Sequence, residues 1–569
     1  MNKFLLTVFI GASLYGRAQN AGSVTGNIES IFQYLQQDSV IGANPPAEKG
    51  LLNTYANVFY TNGNFKAGMR LESYLPRIQG YPDRFDGTGI GMRYVGYSND
   101  FLDITLGNFY EQFGSGLIFR SYEDRSLGYD SNMDGARLIV KPRPGFTIKG
   151  VYGHQRYEFR EGRVNKSDGI VRGFDGEAHL NEIFKKMAAF PLDITFGGSF
   201  VSKYQKDNDL ALILPENVGA YGGRTRLKYK NFTFDAEYVF KENDPNVDNG
   251  YIYNNGHAAL FNLSYTKKGI GIIISGKSVD NMAFRSDRDK DGQDLLINFL
   301  PAMNKTHTYN LVATLYPYAT QPNGEVAYQA EFLYTFKKDS KIGGKYGMPV
   351  NLNFSTAYLP IRHSMGLDTN RRLYEGRLFD QSDSLLWQDF NFNVTRKINK
   401  NLNFTLAYFA IRLNNDVAKI SNDLNAKGII DAQIGVLETN WKINKKHAIR
   451  SEYQMLFTNK DKGDWATLLV EYTISPNWFF GVMDQFNYGN PHRQEAIDNG
   501  TIGKLFSPGS ASIKKADYHF PIVSCGFVRE ASRFMVSYGR QRAGLFCVGG
   551  ICRFVPASKG LTLTFTHSF

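Results

Sequence analysis

Beyond its first eighteen positions the chain contains no run of 18 consecutive apolar residues. A helix needs about 20 such residues to cross a bilayer, so helical spanning is excluded. Cysteine is scarce, three in 569 residues, and the nine histidines are scattered. No Gly-x-Ser-x-Gly elbow occurs, and no Ser/His/Asp set assembles by spacing. Two cysteines without nearby histidine make a poor zinc site. The residues therefore offer no catalytic, cofactor or metal site, and an enzyme is not expected. Net charge is +11, but the basic residues alternate with apolar ones instead of clustering. That pattern reads as lumen and loop charge, some of it meeting anionic lipid headgroups, and not as a nucleic-acid surface.

What the chain has in quantity is aromatic residues and glycine: 34 Tyr, 43 Phe and 56 Gly. The mixture suits strands with aromatic girdles. The last nine residues show the pattern most clearly. Leu561, Leu563, Phe565 and Phe569 fall on one side of a period-2 strand, and Thr562, Thr564, Thr566 and Ser568 on the other. One oily face and one hydroxyl face suit a wall between lipid and a polar lumen. The same alternation runs through Phe65–Glu72, Leu192–Gly197, Phe232–Lys241 and Ala466–Tyr472.

The start of the chain is basic, Met1-Asn2-Lys3, and Phe4–Leu14 is an apolar stretch. It has the length of a signal-peptide core and is too short to span. Gly16-Arg17-Ala18 supplies small residues for cleavage before Gln19, with no cysteine for lipidation. Residues 1–18 are expected to be a signal peptide and 19–569 one barrel domain.

The links between alternating segments are short and long in turn. Short ones include Asn62-Gly63-Asn64, Asn99-Asp100, Lys230-Asn231, Lys268-Gly269 and Ser475-Pro476-Asn477, built from turn-forming residues. Longer ones are Gln205–Asn217, Glu242–Asn255, Asp280–Glu325, Ile361–Ser384 and Gly489–Asp517. Outer-membrane barrels pair short periplasmic turns with long external loops. The expectation is an all-β, single transmembrane antiparallel β-barrel of about 24 strands (range about 22–26), both termini periplasmic.

A barrel of about 24 strands encloses a wide hole unless something narrows it. No separate plug domain precedes the strands, which disfavours a TonB-dependent transporter. The 46-residue stretch Asp280–Glu325 is the candidate. Leu295–Pro301 and Tyr309–Tyr318 make it too apolar for a solvated coil, so it is expected to fold into or over the lumen. Tyr110–Asn132 is the second candidate, with Arg120, Glu123, Asp124 and Arg125 beside Phe113, Phe119 and Tyr122. By alternation Lys66, Arg70, Glu72, Arg93, Arg224, Arg226, Asp235, Glu237, Glu331 and Glu471 point inward. Phe569 resembles the terminal aromatic by which such barrels are passed to the barrel assembly machinery.

Three strings imitate other chemistry. Gly271–Ser278 matches the P-loop pattern, but three isoleucines and the lack of a following helix make it a strand. Asp287–Gly292 resembles the start of a calcium loop, yet its twelfth position is Asn298. Cys547 and Cys552 flank a Gly-Gly turn that permits a local disulfide, leaving Cys525 as a small oily strand residue.

Gln79–Pro82, Asn108–Arg125, Asn298–Ala302 and Phe546–Ala557 together resemble a family of Bacteroidota outer-membrane proteins catalogued only as a domain of unknown function. The resemblance covers nearly the whole mature chain. It implies the barrel and the location, and it carries no activity. Two functions remain from different classes: a loop-gated, porin-like solute channel, or an accessory barrel that docks surface lipoproteins or a secretion or assembly complex.

Overall fold

The structure is a computed structural model describing residues 22–365, 372–418, 426–489, 518–548 and 551–569, except the side chains of 546–552. The stretch 1–18 expected to be a signal peptide lies outside the described residues. One antiparallel sheet dominates. Its 25 strands include a two-residue pairing, Tyr518–His519, on strand Trp478–Gly489; the other 24 form the wall. Each wall strand pairs with its neighbours in sequence. The first, Ser23–Gln36, pairs on one side with Gly50–Asn62 and on the other with the last, Ser558–Ser568, so the sheet closes on itself. Closure removes the unpaired edges that an open sheet would present.

Alternation sorts the two faces. Phe65, Val95, Leu106, Phe174, Phe196 and Tyr238 are exposed and form an oily outer surface. On the last strand Phe565, His567 and Phe569 stack outward with ring centroids 6.4 and 6.2 Å apart. The P-loop-like string lies wholly within strand Ile270–Asp280.

Three departures from simple alternation matter. Arg70 pairs with Met92 but Leu71 pairs with Ile90, so Gly91 is an extra residue, a β-bulge. The bulge reverses the faces beyond it. Arg93 therefore pairs with Met69 and shares the outer face with Val95, not the inner face with Arg70. Second, Ile361–Ser384 is not a long loop. Most of it belongs to an extended hairpin, Met348–Ser364 with Tyr374–Lys397, whose far end is bulged. Third, Arg160 and Arg163 are joined by the two-residue turn Glu161-Gly162, both at positive φ, at the end where longer links prevail.

The inner face is not uniformly polar. In one arc Val171, Val201, Val218, Val239 and Val279 point inward and bury Met282, Phe284 and Ile297. In a second arc Ala357, Ile411, Ile434 and Leu456 do the same for Leu311, Val312 and Tyr316. Phe113, Leu117, Ile118 and Phe119 join the first arc, and Ile78, Tyr81 and Phe85 pack on Leu51, Tyr55, Tyr74 and Phe159, so the core sits between the wall and residues of segments 281–323, 110–132 and 75–86.

Candidate functional site

Segment 281–323 links strands Ile270–Asp280 and Gly324–Phe336. Its only α-helix among the described residues, Asn310–Leu315, buries Leu311, Val312 and Leu315. Around the helix the segment is tied to the polar side of four wall strands. Lys305 Nζ donates to Glu331 at 2.7 Å and His307 Nε2 lies 2.8 Å from Asp389. Tyr309 donates to Glu438 at 3.2 Å, and the Leu311 amide to Gln454 at 2.9 Å. Glu331 stands seven residues beyond Gly324, and Glu438 nine beyond Ile429. At about 3.4 Å per residue these anchors lie roughly 24 and 31 Å along their strands. With strands tilted about 40°, the depth is roughly 18 and 23 Å. A lid lying across the mouth would not reach so far.

The second segment, 110–132, meets the first. The Arg120 amide donates to the Ile297 carbonyl and the Phe299 amide to the Gly116 carbonyl, both at 2.9 Å. The Arg120 guanidinium sits 4.1 Å over the Phe299 ring and 4.2 Å over Tyr122. Glu237, on the inner wall, accepts from the Ser115 amide at 2.8 Å. Gly114 makes that approach with φ of 53°, where a Cβ would fall 2.7 Å from the Glu237 carboxylate. Arg125 pairs with Glu29 at 2.6 Å and Glu123 at 3.2 Å, and lies 4.4 Å over Tyr55. Asp124 accepts from the Ser126 hydroxyl at 2.5 Å and the Leu127 amide at 3.2 Å.

Beneath segment 110–132 lies a charge hub. Arg70 donates to Glu72 at 2.7 Å, and to Glu123 and Asp130 at 2.9 Å. Arg156 donates to Glu72 at 2.6 Å and Asp130 at 3.0 Å. Tyr74 adds a hydroxyl bond to Glu72 at 2.9 Å. Arg70, Glu72 and Arg156 are almost wholly buried. Burial, and next the Asp130 charge, push the Glu123 carboxyl above the ordinary carboxylate range, against the pull of Arg70 and Arg125. Burial likewise raises the Tyr129 hydroxyl, to about 12.

The remaining lumen candidates form pairs along the wall. Lys66 and Arg137 share Asp103 at 2.9 and 2.6 Å. Arg224 holds Asp175 at 2.6 Å and Glu177 at 3.0 Å. Arg226 and Asp235 pair at 2.5 Å, with Arg226 65% exposed. Glu471 meets Arg450 at 2.8 Å. Cys547 and Cys552 are register partners on a small hairpin, but the bond expected between them falls on side chains outside the described residues. Phe569 exchanges two backbone hydrogen bonds with Gly26, each 2.9 Å.

Sequence reasoning missed Arg156. Its strand carries register shifts on both sides of that residue, which break the alternation. It also missed a fully buried pair, Lys277 with Glu325 at 2.8 Å. Lys277 is the lysine of the P-loop-like string, and its ammonium also donates to the Pro301 carbonyl and Thr320 hydroxyl, both at 2.6 Å. Its work is to hold segment 281–323 to the wall.

Closed wall, oily exterior and inserted segments define a β-barrel of the outer-membrane type with two chain segments inside its lumen. The chain belongs to a family of unknown function, DUF6029, which matches residues 1–569. No curated protein matches it. Solved structures similar to it include the copper transporter OprC, at 9% identity and a TM-score of 0.41 over 98% of this chain and 82% of that one. A mutant ferric enterobactin receptor PfeA from Pseudomonas aeruginosa gives 10% and 0.43 over 97% and 81%. OccD3 (OpdP) from Pseudomonas aeruginosa gives 13% and 0.35 over 74% and 90%.

Proposed function

We propose that this barrel is an outer-membrane solute channel whose passage is set by segments 110–132 and 281–323. The observation that carries the reading is the depth and variety of their anchoring. Lys305, His307 and Tyr309 reach polar wall residues well below the loop end. A wide lumen filled from one end by its own loops is a barrel narrowed, not one sealed by side chains alone. Lumen charge stays partly exposed at Glu177, Arg226 and Asp235, on the short-turn side of Glu237, and in this reading lines the vestibule beneath the inserted segments. In this reading the short turns and both termini face the periplasm and the loops face outward. Phe569 delivers the chain to the assembly machinery. Planar-bilayer conductance tests it: purified protein should give discrete steps, and their absence at every voltage would reject a channel.

One observation favours docking as a second reading. Asp207 and Asp209 stiffen the loop 205–216 by accepting backbone bonds from Leu214, Ala211 and Leu212. That loop presents Leu210 and Ile213 to solvent, 105% and 89% exposed. Rigid apolar tips of this kind suit a surface lipoprotein or complex partner. A stoichiometric partner recovered from native membranes, and lost with Leu210→Asp/Ile213→Asp, would support it.

A further inference from the structure

The far end of the long hairpin, residues 359–364 and 374–383, does not project from the mouth. It folds back along the outside of the barrel. The Phe379 amide donates to the Ser278 hydroxyl at 3.0 Å. The Phe379 ring packs 5.7 Å from Phe261 and 6.2 Å from Tyr328. Ser278 and Asp280 share a face with Ile274, which is exposed on the outer surface. The hairpin buries both. Arg362 reaches Asp280 at 2.9 Å and the Tyr374 hydroxyl reaches it at 3.1 Å. An outward carboxylate near the rim is thus neutralised and covered, which seats the hairpin firmly.

Between hairpin and wall lies a groove of about 400 Å³. Tyr238, Phe261, Leu378 and Phe379 border it, and the small residues Ala236 and Ala259 form its floor. Tyr238 is an exposed outer-face residue, so the groove is continuous with the surface that meets lipid. Gly223 also lines it, and a Cβ there would have no neighbour within 4 Å. Arg377, adjoining Leu378, is exposed and has no ion-pair partner among the described residues. An apolar slot under a strap, with an unpaired cation one residue along the strap from the slot's lining, has the chemistry of a site for an anionic amphiphile.

We propose that this groove binds one acyl chain of the phosphorylated glycolipid of the outer leaflet, lipid A, with its phosphate on Arg377. The proposal rests on the outward orientation of the loops given above, and not on conduction. Commitment to lipid A follows from the groove's place within a few residues of the loop ends of its strands: Tyr238 is three from Lys241 and Ala259 three from Gly256. That is the level of the outer leaflet.

Native mass spectrometry of detergent-purified, delipidated full-length protein, titrated with lipid A or with phosphatidylglycerol, tests the site. Wild type should retain one lipid A per barrel and take up phosphatidylglycerol about tenfold less readily. Ala236→Trp, which fills the slot, and Arg377→Glu, which reverses the charge, should each weaken lipid A retention about tenfold. Heat-modified gel mobility and, where present, conductance should stay at wild-type levels. Equal retention by wild type and both variants would overturn the site. Preference for phosphatidylglycerol would overturn the assigned ligand and, with it, the outward orientation. If Ala236→Trp does not fold, Ala259→Thr, a smaller intrusion into the same floor, decides the point.

Discussion

The amide of Phe299 donates to the carbonyl of Gly116 at 2.9 Å, joining two segments that enter the barrel from different strand pairs. With Arg120 stacked on the Phe299 ring, this junction is where the two inserted segments act as one body. A cation–π contact contributes about 0.5–2 kcal/mol. Phe299→Ala should therefore loosen the junction and raise conductance or its noise, while the heat stability of the barrel changes by less than about 2 kcal/mol. Single-channel recording beside a thermal melt would check this.

The hub around Glu72 behaves differently. Arg70 and Arg156 both converge on its carboxylate in a buried site. Removing one partner of a buried pair strands the other and costs about 3–5 kcal/mol. Arg156→Met alone should lower the denaturant midpoint by that scale. Arg156→Met with Glu72→Gln should cost much less than the sum of the single changes. A double-mutant cycle showing simple additivity would contradict the coupling.

Glu123 gives segment 110–132 a pH dependence. Its folded carboxyl titrates above the ordinary value of about 4.3 because burial and Asp130 disfavour its charge. The native hub then binds more protons than the unfolded chain between those two values. Stability supplied by the neutral form is present below the ordinary value and is lost as pH rises through the raised one. Segment 110–132 should therefore loosen on raising pH through that window, read as faster hydrogen exchange at its amides. Glu123→Gln should abolish the trend.

Arg93 faces outward beside Val95. A basic residue on the lipid face costs up to about 2–4 kcal/mol at mid-depth and less toward the interface. Arg93→Leu should raise the unfolding midpoint in lipid vesicles. A fall would mean that the guanidinium has a partner there.

Gly26 and Phe569 close the last register, and the Phe569 ring covers the position where a Gly26 Cβ would stand. Phe569→Asp should reduce folded barrel in the outer membrane without reducing export across the inner membrane. Fractionation and gel mobility would separate the two steps.

Much of the wall was legible in sequence because lipid on one side and polar groups on the other impose period 2. The strand count followed from turn chemistry at links such as Lys268-Gly269. What stayed hidden had local causes. The extra residue Gly91 moved Arg93 to the other face, and irregular pairing around Arg156 concealed the hub's second arginine. The apolar inner arcs were invisible for another reason. Where a loop packs against the wall, both faces are oily, as at Phe200 and Val201, and alternation disappears. The apolar content of 280–325 did mark it as a segment needing cover, but not which wall residues supply it. The long hairpin read as a loop because its outer half is polar and bulged.

The most direct test of the channel account is the single-channel conductance of the full-length protein against a variant lacking Asp287–Asn304. That deletion removes Ile297 and Phe299, and with them the junction to segment 110–132. The account predicts larger current steps and passage of larger uncharged solutes in vesicle swelling, with the barrel still folded. A folded variant whose current and solute cut-off equal those of the intact protein would contradict it.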